Sequence, residues 1–326
     1  MSGFASAVIH WQKRHGRQGL PWQGTRDPYR IWLSEVMLQQ TQVAAVIPYF
    51  DRFLKKYPTL KALAGAQEDD VLRLWSGLGY YARGRNLLTA AKEVARRGKF
   101  PDTPEAIAEL PGVGRSTAAA IAAFAFGRRA AILDGNVKRV LARCFAIETE
   151  KDLWLLAERL LPKRGIVAYT QGLMDLGATV CVRVNPRCNA CPVNKVCVAK
   201  KQNRIDELPA PRPRKALPTR SVTWLVLRRA GQVLLEKRPS SGIWGGLWSF
   251  PEAGPRQLEY DIRATRELEP LEHGFTHFRL RIRPLLCDLR KAAPRAEEPG
   301  RLWIDIADAL DAALPTPVRK VLGRLS

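Results

Sequence analysis

Four cysteines stand within seventeen residues near the middle of the chain, in the order Cys181-x6-Cys188-x2-Cys191-x5-Cys197. Packing alone has no use for so many thiols in so short a tract. Soft thiolate ligands select zinc or an iron–sulfur cluster, and such clusters take four cysteines. A structural zinc site more usually shows two short Cys-x2-Cys pairs held well apart, and here only Cys188 and Cys191 form one. Disulfides are the third reading. They fit poorly, because MSGFASAVIHWQKRHG at the N-terminus lacks the basic start and apolar run of a secretory leader. The tract therefore reads as a metal site, with a [4Fe-4S] cluster ahead of zinc. Cys144 and Cys287 stand alone and read as small core residues.

The chain has 326 residues, enough for two domains. No apolar stretch approaches the roughly 20 residues of a membrane-spanning helix. Lysine and arginine number 53 against 31 acidic residues, a formal charge of +22. Such an excess suits a polyanion, whose binding would release counterions and be salt-sensitive. Nucleic acid leads, and a membrane surface falls well behind because no basic amphipathic anchor is present.

Residues 4–200 carry helical periodicity, as in IWLSEVMLQQTQVAAVIPYFDRFL, with breakers at Pro58, Gly65, Gly98, Pro101 and Pro111. LPAPRPRKALP then has proline every second or third residue, the mark of a stiff, extended linker. Beyond it the period changes. SVTWLVL and QVLLEKR flank Ala230-Gly231 and predict a hairpin. HFRLRIRPLLCDL alternates apolar Phe278, Leu280 and Ile282 with Arg279, Arg281 and Arg283, predicting a strand with one wet, basic face. A helix is predicted over Arg256–Glu269 and another after Pro315-Thr316. The boundaries are thus 1–205 for an all-α domain, 206–220 for the linker and 221–326 for a smaller α+β domain.

Three segments could do chemistry. In LPGVGRSTAAAIAAFAFG, Gly112 and Gly114 permit a tight turn with positive φ before Ser116 and Thr117 open an alanine-rich helix. Free N–H groups at such a helix start can hold a phosphate; an ordinary corner with glycine caps is the plainer alternative. In AAILDGNVKRVLAR, Asp134 precedes a basic helix containing Lys138 and Arg139. Asp134 reads first as a helix cap, although a carboxylate there could also stabilise a developing cation. Glu35 shares a helical stripe with Ile31, Trp32, Leu38 and Gln39. Desolvation on that stripe would raise its pKa, unless it sits at the edge or has a buried partner. One neutral and one ionised carboxyl is the arrangement that breaks glycosidic bonds.

These pieces, in this order, resemble the helix–hairpin–helix DNA glycosylases with an iron–sulfur loop, the endonuclease III superfamily. WLSEVMLQQTQV, GLGYYARGRNL, LPGVGRSTAAAI, ILDGNVKRVLAR, QGLMDLGATVC and the cysteine tract look like the blocks of its adenine DNA glycosylase branch. The resemblance spans essentially the whole chain, including a C-terminal region similar to a MutT-like (Nudix-like) domain. It implies excision of adenine mispaired with 8-oxoguanine, and with guanine, from double-stranded DNA during base excision repair. It implies Glu35 as the general acid at adenine N7, Asp134 as the stabiliser of an oxocarbenium-like sugar, and Asn136 as an orienting residue. Trp22 and Gln171 match the adenine pocket. Gln40, Thr41, Leu78 and Tyr80 match the wedge and 8-oxoguanine contacts, and the flipped base leaves a gap an aromatic can fill. Thr276-His277 in HGFTHF matches a Phe-Ser-His loop, with threonine for serine.

Ser116 stands where strand-cutting relatives have a Schiff-base lysine, which implies a monofunctional glycosylase; Lys138, a helical turn from Asp134, leaves weak incidental cleavage open. In the MutT-like part, Gly246 and Glu252 keep the opening spacing of a Nudix box, but Tyr260 and Asp261 occupy the positions of its Arg-Glu pair. Arg266-Glu267-Leu268 comes too late. The expectation is a recognition module without hydrolase activity. A monomer in the cytoplasm, on the nucleoid if bacterial, completes the picture.

Overall fold

A computed structural model describes residues 2–210, 216–254, 260–290 and 299–325. Contacts divide the chain into two compact units, one of 1–65 with 86–213 and the other of 66–85 with 214–326.

The first unit is all helix. Its elements are α1 (Ser2–His15), α2 (Pro28–Leu38), α3 (Val43–Lys56) and α4 (Leu60–Ala64). After an excursion into the second unit it continues as α6 (Ala82–Arg97), α7 (Pro104–Ala108), α8 (Arg115–Phe126), α9 (Gly135–Phe145), α10 (Glu150–Arg159), α11 (Ile166–Thr179) and the short α12 (Val198–Lys201). Local chemistry sets several starts. Asp27 caps α2, its side chain accepting from Tyr29 N with Pro28 following, and Thr59, Thr103 and Thr149 cap α4, α7 and α10 in the same way. The core joins Phe4, Ala5, Val8 and Trp11 of α1 to the inward faces of α8 to α11. Trp32, Phe50 and Phe53 are fully buried on α2 and α3, each stabilising by about 1.5–3 kcal/mol. Among the described residues no helix is long and apolar enough to cross a membrane.

The second unit contains α5 (Glu68–Trp75), β1 (Thr219–Arg229), β2 (Gln232–Lys237), β3 (Trp248–Ser249), β4 (Ile262–Glu267), β5 (Leu271–Gly274), β6 (Arg279–Leu289), β7 (Arg301–Asp305), α13 (Ile306–Ala309) and α14 (Thr316–Leu322). Its sheet runs β3-β2-β1-β6-β4, with β5 added to β6 and β7 to β2. β1 and β6 are parallel from Thr219↔Arg279 to Arg228↔Asp288, and the other pairs are antiparallel. The expected hairpin is present, turning on Ala230 (φ 46°) and Gly231 (φ 81°). β6 has the expected alternation: Leu280 and Ile282 are buried while Arg279, Arg281 and Arg283 are exposed. The closing helix is α14.

The helix predicted over Arg256–Glu269 is corrected. Residues 255–259 lie outside the described residues, and Ile262–Glu267 is strand β4, paired antiparallel to β6 with a bulge between Ile262 and Ala264. Nearly all of β4 is exposed, so no apolar face was present to set a period. Leu208, at the start of the predicted linker, is buried; 211–215 lie outside the described residues.

The α5 segment, which the sequence grouped with the surrounding helices, is held by the C-terminal elements. Ser76 Oγ donates to Leu314 O (2.6 Å), Tyr81 Oη reaches the same carbonyl (3.3 Å), and Arg319 Nε donates to Ser76 Oγ (3.1 Å). Asp69 accepts from Lys237 Nζ (2.6 Å) and Trp248 Nε1 (3.4 Å).

Candidate active site and cysteine cavity

In the first unit, α2 turns Ile31, Ser34 and Glu35 toward a cleft of about 360 Å³ also lined by Gln12, Trp22, Phe124 and Gln171. Trp22 is buried and packs edge-on against Phe50, ring centres 5.3 Å apart, which gives the cleft a rigid aromatic wall. Burial pushes the Glu35 carboxyl up to about 8, and the charge of Asp134 adds to the rise. Glu35 is therefore a neutral proton donor at pH 7.

Asp134 does not line the cleft surface, but its charge reaches Glu35. It is also a helix cap, Oδ1 accepting from Asn136 N and Val137 N at 2.8 Å each. Burial raises its pKa, against those two hydrogen bonds and the charges of Arg139 and Arg17. The cap reading of Asp134 is present in the structure, and the same carboxyl is buried. Asn136 Oδ1 accepts from Arg139 Nη2 (2.8 Å), and Arg139 also donates to Gly177 O and Cys181 O at 2.7 Å each. Gly177 lets α11 approach this point, because a Cβ there would come within 2.6 Å of Asn136 Cβ.

The turn before α8 has Gly112 at φ 78°, as expected, but Gly114 sits at φ −85° as the N-cap of α8. The positive-φ expectation for Gly114 is corrected; its value lies in leaving the helix start uncovered, with nothing within 4 Å of a Cβ built there. Ser116 Oγ accepts from Leu133 N (2.9 Å), tying this turn to the residue before Asp134. Gln39 was not singled out by sequence. Its Nε2 donates to Gly112 O (3.1 Å) and Thr117 Oγ1 (3.3 Å), joining the end of α2 to the turn. Lys138 is engaged with Glu150.

Cys181, Cys188, Cys191 and Cys197 line one cavity, with Cys144 in its wall. Among the described residues no three metal-ligating groups converge on a point that would hold a single ion. Four thiols lining one cavity are a donor set that fits an iron–sulfur cluster. Buried Arg143 holds the tract, donating to Val182 O (2.7 Å), Arg183 O (3.0 Å) and Leu208 O (2.8 Å), with Nη1 3.6 Å from Cys181 Sγ.

Gln40 (φ 56°) and Thr41 follow α2 in the first unit. Leu78, Tyr80, Thr276 and His277 all lie in the second. Leu78 is buried, whereas Tyr80 is 45% exposed at φ 49°, with the Arg83 guanidinium 5.3 Å from its ring. Thr276 and His277 form the exposed tip between β5 and β6. Phe275 and Phe278 stack below them at 4.5 Å, and Phe275 leans on Trp244 at 5.4 Å.

The HhH-GPD superfamily base excision DNA repair protein model matches residues 33–163 and a NUDIX domain model matches 222–324. Over the full length, the chain is 35% identical to the adenine DNA glycosylase of Buchnera aphidicola subsp. Baizongia pistaciae, covering 99% of this chain and 96% of that one. The chain belongs to the adenine DNA glycosylase family. The Homo sapiens adenine DNA glycosylase is 33% identical over 98% of this chain and 73% of its own. A solved thermostable thymine-DNA glycosylase is 32% identical, with a TM-score of 0.57, over 61% of this chain and 95% of that chain. Endonuclease III in a non-covalent DNA complex shares the fold at 21% identity, with a TM-score of 0.54 over 61% of this chain and 94% of that chain. As a family member the chain is a DNA N-glycosylase with a helix–hairpin–helix domain and a C-terminal Nudix-like domain.

Proposed function

We propose that this adenine DNA glycosylase family member flips adenine out of mispairs with 8-oxoguanine, and with guanine, and hydrolyses its N-glycosidic bond to leave an abasic site. The observation that carries the reading is the Glu35 carboxyl, held neutral to about pH 8 in the cleft with the Asp134 charge beside it. Glu35 donates its proton to adenine N7 and makes the base a competent leaving group. Positive charge then grows on the sugar, and the fixed Asp134 anion is stronger against that state than against the neutral nucleotide. Asn136 and the Arg139 bridge keep Asp134 at the start of α9. Trp22 stacks on the extruded base. Gly112, Gly114 and the start of α8 hold a backbone phosphate.

Ser116 supplies a hydroxyl, engaged with Leu133, where a Schiff base would need an amine, so the activity is monofunctional. Gln40, Thr41, Leu78, Tyr80, Thr276 and His277 read the opposite base. Cys181, Cys188, Cys191 and Cys197 hold a [4Fe-4S] cluster that stabilises their loop and presents Arg183, Arg187 and Lys195 to DNA. The Nudix-like domain acts as a recognition module: Glu252 is engaged by Arg238 Nη1 at 2.7 Å, and the Arg-Glu pair is absent at Tyr260 and Asp261. A thymine substrate is the rival on the same scaffold. The thymine-specific neighbour matches only 61% of the chain, whereas relatives named for adenine match across both units.

The test is single-turnover incubation with a labelled duplex carrying 8-oxoguanine opposite adenine, read before and after alkali. Strand scission only after alkali is the expected result. A strand left intact after alkali, with DNA bound, would overturn the adenine assignment.

A further inference from the structure

The turn after α5 enters the left-handed region at Gly77 (φ 97°), Gly79 (φ 77°) and Tyr80 (φ 49°). A tyrosine does not take that conformation by preference, so the surrounding contacts must impose it. From within the same segment, Trp75 Nε1 donates to Gly79 O (3.0 Å), and Arg83 Nη2 donates to Gly79 O (3.1 Å) and Leu78 O (3.4 Å). A second set of hydrogen bonds reaches the turn from α14. Arg319 donates through Nη1 to Leu310 O (2.5 Å) and through Nη2 to Ala312 O (3.1 Å), which wraps residues 310–314 around its guanidinium. Its Nε donates to Ser76 Oγ (3.1 Å), and that hydroxyl donates in turn to Leu314 O (2.6 Å). Tyr81 Oη donates to the same carbonyl (3.3 Å) and accepts from Gly77 N (3.3 Å). Each hydroxyl in the chain both donates and accepts, and the charged donor at its head is Arg319.

We propose that Arg319 is a positioning residue for reading the base opposite the excised adenine: through Ser76 and Leu314 it fixes the turn that presents Leu78 and Tyr80. The inference rests on the reading of those two residues as opposite-base contacts. Arg319 suits the task because its planar fork meets three oxygens in fixed directions. By occupying a lone pair of Ser76 Oγ it turns the hydroxyl hydrogen toward Leu314 O, and a charged donor makes the stronger bond. Without Arg319, residues 310–314 lose two of the bonds that aim the Leu314 carbonyl, and Tyr81 and Gly77 lose a fixed end to their own. Tyr80 would then relax toward the backbone region that tyrosine prefers, and its ring would move with it. Glu35 and Asp134 belong to the other unit, so the loss falls on discrimination ahead of the bond-breaking step. The C-terminal helix thus serves opposite-base reading without touching the base.

The experiment measures single-turnover adenine excision opposite 8-oxoguanine and opposite guanine, in one duplex sequence, for the wild type, Arg319→Met, Tyr80→Ala and the double variant. Methionine keeps much of the apolar stem and removes every donor. The 8-oxoguanine-to-guanine rate ratio is expected to fall about 3- to 10-fold in Arg319→Met, the scale of one ordinary hydrogen bond. The double variant should lose less than the product of the two single losses, because Arg319 acts through the turn that carries Tyr80. Equal losses on both duplexes, or single losses that multiply in the double variant, would overturn the proposal. So would a lower melting temperature with the ratio intact, the mark of a purely structural role. If Arg319→Met does not fold, Ser76→Ala breaks the same chain and leaves Arg319 on Leu310 and Ala312; an unchanged ratio there overturns the proposal as well. Tyr80→Ala with wild-type discrimination would instead sink the opposite-base reading itself, a separately visible outcome that takes the proposal with it.

Discussion

Asp134 uses a single carboxylate oxygen to cap α9, and its charge adds to the burial that keeps the Glu35 carboxyl protonated to about pH 8. One side chain thus positions a helix and helps to keep Glu35 neutral. Both effects follow from burying two carboxyls near each other with only one of them supplied with N–H donors.

Excision should be flat through neutrality and fall as pH rises through about 8, because the proton donor is then lost. A single-turnover pH profile checks this; a rate that does not fall between pH 7 and 9 would contradict it.

Glu35→Gln should abolish excision yet stabilise the fold at alkaline pH. The folded carboxyl is raised from 4.5 to about 8, so the folded state binds the proton more tightly than the unfolded chain does. Wild-type stability is full below pH 4.5 and declines as pH rises toward 8. The variant lacks that decline, so its advantage grows across this window to on the order of 2–4 kcal/mol. Denaturant melts at pH 5 and pH 8 give the comparison.

Asp134→Asn separates cap from charge. Asparagine accepts the same two N–H bonds, so the melting temperature should shift little. The excision rate should drop by about 100- to 1,000-fold, the scale of losing one preorganised electrostatic group. A parallel loss of stability and rate would mean that the cap alone matters.

Gly177→Ala should push α9 away from α11. Its Cβ would meet Asn136 Cβ at 2.6 Å and Asn136 O at 2.8 Å, and overpacking of this kind costs about 1–3 kcal/mol. Because the displaced residue adjoins Asp134, kcat should fall more than substrate affinity. Thermal melts and single-turnover rates measured together test the pairing.

Arg143→Ala should loosen the cysteine loop. It removes the donor to three backbone carbonyls, those of Val182, Arg183 and Leu208; the buried one, Leu208, costs about 1–3 kcal/mol when left unpaired. Lower iron content and a lower melting temperature are expected, and full iron retention would count against the role.

Much of this was legible in the sequence because it depends on local rules. The Glu35 stripe, the Asp134 cap, the Ala230-Gly231 turn and the alternation of β6 each occupy one short window. β4 escaped because an exposed strand has no apolar face, and its pairing with β6 is decided by residues some 20 positions away. Asp175 escaped differently. QGLMD places Gln171 and Asp175 one helical turn apart, a readable i,i+4 pair, but the pairing of Asp175 with Arg17, just past the end of α1, joins residues 158 positions apart. Ser116 was readable as a missing amine, but not as an acceptor for Leu133.

The excursion of 66–85 into the second unit makes the protein a poor candidate for modular inheritance. A domain strung on a single linker can be lost, gained or exchanged by one cut in a gene. Here the polypeptide enters the C-terminal unit, returns, and enters it again, so a cut at the proline-rich segment leaves Ser76 and Tyr81 without the Leu314 carbonyl they share. A lineage that dropped the C-terminal elements would have to replace the partners of Ser76 and Tyr81 at the same time. The two halves are bound to a common history by twenty residues in the middle of the first.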